Sequence, residues 1–149
     1  MKTGKAVFKK EAEFTRSLIE EKLNIPFDFS RESLRKLDAI IKSGIVKKDL
    51  HKALGEDGVA GIIFSFGCFL GEVLINEFKG RWVPASKPLE SKVYIPINSR
   101  TGYNVDVFSI IAKRLRNEST DLHKEVEMIE KELIKASQAL PRSTFRKRE

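Results

Sequence analysis

The stretch GIIFSFGCFLGEVLINEFKGRW, residues 61–82, is the most apolar part of the chain and decides the fold. It continues a helix-compatible run that starts at Val59, and we predict a helix over about 59–78 that Gly80 closes. This run is short for a membrane span, and glycines and Glu72 interrupt it. The sequence therefore predicts a buried central helix and no membrane span.

Two glycines of this helix, Gly67 and Gly71, lie four residues apart and so share one face. Each costs roughly 1 kcal/mol in a helix interior relative to alanine. A stripe of small residues allows another backbone to approach closely. We therefore expect close packing on this face to compensate for the cost of the glycines.

Glu72 places a carboxylate inside the same apolar segment. A buried carboxylate without a partner would be costly, so we expect a hydrogen bond, a paired cation, protonation or partial exposure. Arg81, Arg100 and the hydroxyl of Tyr94 are the candidate partners. We interpret Glu72 as a structural tie between the helix and the segment that follows. The alternative is a hydrolase that uses Glu72 as acid or base, and it requires a second titratable group and a pocket.

Upstream of the central helix, apolar periodicity predicts a first helix over 6–24, which Pro26 ends. A second helix begins with Ser30 as its cap and is followed by Gly44. Asp57 is the predicted cap of the central helix. The amino-terminal half is therefore predicted to be helical.

Downstream, RWVPAS at 81–86 and SKVYIPIN at 91–98 predict the two strands of a hairpin. Each segment contains a proline, which removes a ladder donor, so these strands should lie at sheet edges or end early. Residues 99–103 predict a turn, and residues 104–116 predict a further helix.

The last predicted helix, over 120–140, has apolar residues at alternating steps of four and three, a spacing typical of a coiled-coil seam. These residues are Leu122, Val126, Ile129, Leu133, Ala136 and Leu140. We predict that the seam either docks on the core or pairs with a second copy. Pro141 should end the helix, and the basic tail over 141–149 should be disordered.

These elements predict a single domain over 1–149 of α+β class, mostly α. It has a helical core, over about 6–117, around a buried central helix. A short antiparallel β-hairpin and a long C-terminal helix complete it.

The composition limits the chemistry. The 149 residues carry a net charge of +7 with a pI near 9.5, which favours an acidic partner, whether nucleic acid, an anionic membrane surface or an acidic protein. Cys68 is the single cysteine, which excludes an internal disulfide or a multi-cysteine zinc site and is compatible with a reducing cytoplasm. The glycines around Gly58 lack the lysine and serine or threonine of a phosphate loop. We therefore predict no metal, no cofactor and no enzymatic activity.

One combination of segments resembles small uncharacterised bacterial domain families. DFSRESLRKLDAII is a capped Ser-Leu…Leu-Asp helix, and it precedes the signature Gly-x-aromatic-Leu-Gly-Glu-Val…Gly-x-Trp. The positions are Ser30, Ser33, Leu34, Leu37, Asp38, Gly67, Phe69, Leu70, Gly71, Glu72, Val73, Gly80 and Trp82. The resemblance covers about 26–116 and implies a cytoplasmic α+β unit, some relatives being suspected toxin-immunity or interaction proteins. Many relatives have a double glycine before the tryptophan, where this chain has Lys79-Gly80-Arg81-Trp82.

Two functions follow from these observations. The first is a non-enzymatic protein-interaction domain, immunity-like or regulatory, whose signature residues Gly67, Gly71, Glu72 and Trp82 are structural. Its partner, of acidic character, would meet the hairpin surface or the C-terminal helix at Leu122, Val126, Ile129, Leu133, Arg142, Arg146, Lys147 and Arg148.

The second function is a nucleic-acid-binding accessory protein with basic termini. Flexible basic arms bind phosphate with little sequence preference. The residues concerned are Lys2, Lys5, Lys9, Lys10, Arg142, Arg146, Lys147 and Arg148. An aromatic and basic hairpin surface with Trp82, Tyr94 and Tyr103 could add stacking, although we favour packing of Trp82 against the central helix.

Overall fold

The computed structural model describes residues 4–43, 58–116, 118 and 120–148. Within these ranges the chain forms five α-helices, a 3-10 turn and a three-stranded antiparallel sheet. In order they are α1 Lys5–Leu23, α2 Arg31–Ser43, α3 Val59–Phe78, β1 Arg81–Val83, the 3-10 turn Pro88–Glu90, β2 Lys92–Pro96, β3 Gly102–Val105, α4 Val107–Leu115 and α5 Leu122–Arg148. The predicted α+β class, mostly α with a long C-terminal helix, is confirmed.

Helix α3 is the centre of the fold. It packs against α1, α4 and β2, and every residue from Ser65 to Gly71 is buried. Its segment Ala60–Phe78 is long and apolar enough to cross a membrane, but more than half of its most apolar window is buried inside the fold. The prediction of a buried central helix is therefore confirmed.

Aromatic side chains fill the glycine face of α3. A Cβ added at Gly67 would come within 2.2 Å of the Phe108 ring, and one at Gly71 within 2.2 Å of the Trp82 ring. The expected close approach is real, but the partners are flat rings from α4 and β1 rather than another backbone. Rings need the space that a side chain would occupy, which explains the glycines.

Trp82 is held on its other side by α1. Its ring stacks on Phe8 with centroids 4.3 Å apart, and only 3% of the residue is exposed. The preferred interpretation, in which Trp82 packs against the central helix, is confirmed. This ring therefore joins α1, α3 and the sheet at one point.

The sheet has a third strand that the sequence analysis missed. The order is β1-β2-β3, and Ile95 of β2 pairs with Tyr103 in the segment predicted as a turn. Gly102 allows this pairing, because a Cβ there would collide with the ring of Tyr94. The turn itself is shorter and is closed by Asn98, whose side-chain oxygen accepts hydrogen bonds from the backbone of Arg100 and Thr101.

The helix predicted over 104–116 begins later, at Val107. Asp106 is its N-cap, because its side chain accepts a hydrogen bond from the Ser109 backbone N–H at 3.2 Å. Residues Asn104 and Val105 instead belong to β3. Both prolines act as expected, since β1 ends immediately before Pro84 and β2 ends at Pro96.

The ends of α1 and α3 use left-handed residues. Asn24 follows α1 with φ 54°, two residues before Pro26, as the sequence indicated. After α3 the left-handed residue is Lys79, with φ 58°, rather than Gly80. Gly80 is needed for a different reason, because a Cβ there would lie 2.8 Å from the backbone oxygen of Tyr94.

The start of α2 is organised by Asp28 as well as by Ser30. The Asp28 carboxylate accepts hydrogen bonds from the hydroxyls of Ser30 and Ser33, at 2.5 and 2.8 Å. These bonds lower the pKa of Asp28, that from Ser30 having the larger effect. The predicted roles of Gly44 and Asp57 lie outside the described residues.

The first half of the α5 seam docks on the core. Leu122 and Val126 are fully buried and Ile129 is 6% exposed, in the region where α5 packs against α2. The buried carboxylate of Asp38 fixes this arrangement. It accepts from the Arg114 guanidinium at 2.9 Å and from the backbone N–H of Leu122 at 2.8 Å. One side chain thereby joins α2, α4 and the start of α5.

Helix α5 is longer than predicted. It continues to Arg148, so Pro141 does not end it and residues 141–148 are helical. A proline inside a helix lacks a backbone N–H, here the one that would donate to the Ser137 carbonyl. The other helical hydrogen bonds remain available. The predicted disorder of this tail is therefore not observed.

A larger side chain at Gly67 tests whether the Phe108 ring packs against this position. We expect Gly67→Leu to lower the free energy of unfolding by about 3 kcal/mol or more, because the ring is buried and cannot move aside. Ala60→Leu, at an exposed position of the same helix, is the control and should be nearly neutral. Urea unfolding measures both, and equal midpoints for Gly67→Leu and the native chain would contradict the packing described here.

Candidate functional site

Glu72 is a structural tie in the geometry of the fold. Its Oε2 accepts a hydrogen bond from the indole Nε1 of Trp82 at 2.8 Å. The expected partners were Arg81, Arg100 and the Tyr94 hydroxyl, and the observed partner is none of these. The Arg81 guanidinium instead lies 4.4 Å from the centre of the Tyr94 ring, and Arg100 is in the exposed turn after β2. The half-buried carboxylate thus joins α3 to β1.

Cys68, the other group with potential chemistry, is fully buried. Burial raises the pKa of its thiol strongly, and the nearby carboxylates of Glu11 and Glu72 add to the effect. The side chain therefore stays a neutral thiol and fills space in the core, as an inert cysteine does. Of the predicted signature residues, Gly71 and Glu72 both contact Trp82 in the fold.

A groove with mainly apolar lining residues lies on the described surface. It has a volume of about 410 Å³ and lies between the end of α3, the end of β2 and the second half of α5. Its lining is Phe78, Ile95, Pro96, Ile97, Glu130, Leu133, Ile134, Ser137 and Gln138. Among these, Ile134 is 50% exposed.

The groove forms because the role of α5 changes along its length. The seam is buried as far as Ile129, whereas Leu133 is only half-buried and Ile134 is exposed. On the opposite wall, β2 ends at Pro96 and Ile97 begins the turn, so both residues stay partly accessible. The second half of α5 therefore passes the end of the sheet without closing on it.

Arg31 holds the groove wall in position. Its guanidinium bonds to Glu77 of α3 at 2.8 Å and to Glu130 of α5 at 2.9 Å, and it lies over the ring of Phe78. The bond to Glu130 is the main cause of the raised pKa of Arg31, and the same bond lowers the pKa of Glu130. The Glu130 carboxylate that lines the groove is thus paired within the chain, although it shares the single charge of Arg31 with Glu77.

Two exposed cations lie at chain positions next to the groove. Lys79 follows Phe78 directly, and Arg100 lies in the turn that Ile97 closes by donating to the Thr101 carbonyl. Lys131 and Lys135 of α5 are exposed as well, but they lie on the side of the helix opposite the seam to which the lining residue Leu133 belongs.

The predicted partner-binding residues divide into three groups. Leu122, Val126 and Ile129 are buried in the chain's own core and cannot meet a partner while α5 is docked, so this part of the expectation is wrong for the folded chain. Leu133 lines the groove. The third group is the basic end of α5, where the backbone is helical and the side chains lie outside the described part of the chain. Its members are Arg142, Arg146, Lys147 and Arg148.

Sequence reasoning missed the groove residues Ile134, Phe78 and Ile95. One signal was present, because Ile134 directly follows Leu133 and widens the narrow seam at this point. Phe78 and Ile95 each belong to elements that were predicted correctly. Their convergence depends on tertiary packing and has no signature in sequence spacing.

A second cavity, of about 460 Å³, lies between α2 and the start of α5 and is lined mainly by charged residues. Its carboxylates have partners within the chain: Asp38 bonds to Arg114, Asp121 accepts from the Lys124 backbone, and Glu127 lies 3.6 Å from His123. Asp38 and Asp121 thus serve the start of α5, where they accept from the backbone N–H groups of Leu122 and Lys124.

Comparison with known proteins adds no assignment. No family model, no curated protein and no solved structure matches this chain. The function is therefore argued from the site itself.

Removing the acceptor at Glu72 tests its structural role. We expect Glu72→Leu to lower the free energy of unfolding by about 1–3 kcal/mol, because the buried indole N–H of Trp82 loses its partner. Glu72→Gln keeps an acceptor oxygen and should lose about 1 kcal/mol or less. Glu21→Leu on the exposed face of α1 is the control, and urea unfolding is the measurement. A Glu72→Leu chain as stable as the native one would show that the bond between Glu72 and Trp82 does not stabilise the fold.

Proposed function

We propose that this protein is a non-enzymatic protein-interaction domain that binds its partner in the groove between α3, β2 and α5. The groove is the single observation that carries the proposal. Six of its nine lining residues are apolar and three are polar, a mixture that protein-binding surfaces share. Glu72, which suggested an acid or base in the sequence, is hydrogen-bonded to Trp82, and Cys68 is fully buried in the core.

The walls of the groove suit binding because they are rigid. Ile95 is buried in a central strand, and Phe78 ends a helix whose centre is the core of the fold. Arg31 crosslinks the helices that carry Phe78 and Glu130. A preformed site loses little conformational entropy when a partner binds, and this supports a binding role.

An immunity-like or regulatory task in the cytoplasm of a bacterial cell is the finer form of this proposal. It rests on the sequence resemblance over 26–116, which includes Glu72 and Trp82. In this chain these two residues are hydrogen-bonded to each other. No lining residue of the groove is a signature position, although Phe78, Ile95, Pro96 and Ile97 lie within 26–116.

A charge placed in the groove tests the proposal. Ile134→Asp should abolish capture of the partner, because a carboxylate would have to be buried against apolar side chains. Met128→Asp is the matched control, since Met128 is on the same helix and is 54% exposed, against 50% for Ile134, yet it does not line the groove. The measurement is quantitative crosslinking and mass spectrometry with full-length chains expressed in the native cell.

The expected result is a set of proteins that the native chain and Met128→Asp capture equally and that Ile134→Asp loses. Melting curves of the three chains exclude unfolding as the cause. If Ile134→Asp captures the same proteins in the same amounts, the groove is not the binding site and the proposal fails.

Nucleic-acid binding is the second candidate, and one observation favours it. Lys124, Lys131 and Lys135 are exposed on the side of α5 opposite the docked seam, and Lys5, Lys9 and Lys10 are exposed on α1. The hairpin adds little to this candidate, because the Trp82 ring is buried and the Tyr94 ring lies between Arg81 and Gly102. A salt titration of DNA and RNA binding tests it, with Lys131→Glu/Lys135→Glu against Lys22→Glu as control. No retention at low salt would eliminate it.

A further inference from the structure

We infer that α5 binds the phosphate backbone of a nucleic-acid duplex on the side opposite its docked seam. The inference rests on the second of the proposed functions, to which it gives a site and a ligand class, and it is independent of the groove. Its support comes from the spacing of the lysines of α5, from their exposure and from the placement of the acids around them.

The lysines of α5 stand in one row along the helix. Each residue of this lysine row follows a residue of the seam by two positions, and two residues turn an α-helix by about 200°. The row therefore lies on the side opposite the seam, and its length is roughly 16 Å. Its members, all exposed, are Lys124, Met128, Lys131 and Lys135.

The three lysines of the row are available for a ligand. None of their side chains forms an ion pair with another residue in the described ranges. A lysine ammonium is a compact point charge, and it is a common contact for phosphate oxygens. A straight row of unpaired ammonium groups therefore complements the closely spaced negative charges of a phosphate backbone.

The acids of α5 lie to the sides of the row and not within it. Glu130 bonds to Arg31. Glu125 is half-buried, and this burial raises the pKa of its carboxyl. Glu127 and Glu132 are exposed and border the row. The row itself thus presents positive charge without an acid between the lysines.

The two ends of the row differ in charge. At its start, Lys124 lines the cavity between α2 and α5, where three acids offset three cations. At its other end, residues 133–148 carry five cations and no acid, and the backbone of α5 is helical as far as Arg148. We therefore expect the main phosphate contacts at Lys131 and Lys135.

The composition of the row favours a duplex over other anionic partners. The row contains no aromatic side chain on which the bases of a single strand would stack. Protein interfaces are depleted of lysine and have an apolar core. A helix that lies on a membrane inserts its apolar face, whereas the seam of α5 is buried as far as Ile129. Because phosphate contacts carry no base sequence, the binding should not depend on sequence.

Binding of the full chain to duplexes of about 20 base pairs tests the inference, with fluorescence anisotropy over a salt series. Two unrelated DNA sequences should bind within about twofold of each other, and an RNA duplex in parallel identifies which duplex is preferred. Lys131→Glu/Lys135→Glu should weaken binding by about tenfold or more. It should also reduce the slope of log affinity against log salt by about two, because two phosphate contacts are lost.

Lys22→Glu/Lys87→Glu is the matched control. It makes the same change in net charge at two exposed lysines outside α5, and it should weaken binding by about threefold or less. Melting curves of both double variants verify that the chains are folded.

The other outcomes overturn the inference in distinguishable ways. No duplex binding at low salt would remove nucleic-acid binding itself, whereas equal losses in the two double variants would leave that function but refute the row as its site. Tighter binding of a single strand, or binding of anionic lipid vesicles alone, would refute the duplex as the ligand. None of these results bears on the groove, which the native-cell crosslinking tests separately.

Discussion

The ring of Trp82 is the constraint on which the rest of the structure depends. The ring stacks on Phe8 of α1 and lies against the bare backbone at Gly71 of α3. Its indole N–H donates a hydrogen bond to Glu72. Because Trp82 is the middle residue of β1, these contacts fix the sheet relative to both helices. The Phe108 ring on Gly67 does the same for α4. Two glycines that weaken a helix in isolation thereby allow four elements to meet.

This arrangement leads directly to the groove. With β1 fixed, β2 lies across α3 and ends at Pro96, near the end of α3. Asp38 fixes the start of α5 from the other side of the molecule, and Arg31 sets its middle. A helix of 27 residues started there must run past the body of the protein. Its second half leaves apolar side chains such as Ile134 uncovered, and this is why the proposed binding surface is the groove.

The sequence predicted the elements better than their meeting points. Helix α3 was predicted with its observed bounds, because a strongly apolar run with a sharp break after it has one interpretation. β3 was missed because a four-residue strand beginning with glycine resembles a turn until its pairing with β2 is known. The helix end predicted at Pro141 is wrong, because a single proline biases a helix boundary without determining it. The partner of Glu72 and the groove both depend on residues from separate elements, so no local pattern could give them.

Trp82 is the single tryptophan of the chain, so its indole N–H gives one isolated signal in a nitrogen-15 NMR spectrum. Hydrogen exchange at this signal is the most direct measurement of the central claim. If the ring is seated on Gly71 and bonded to Glu72, its exchange should be slower than that of a free indole by about a hundredfold or more, close to the most protected backbone amides of α3. Exchange at the rate of a free indole would show that the ring is accessible, and the architecture that leaves the groove open would have to be abandoned.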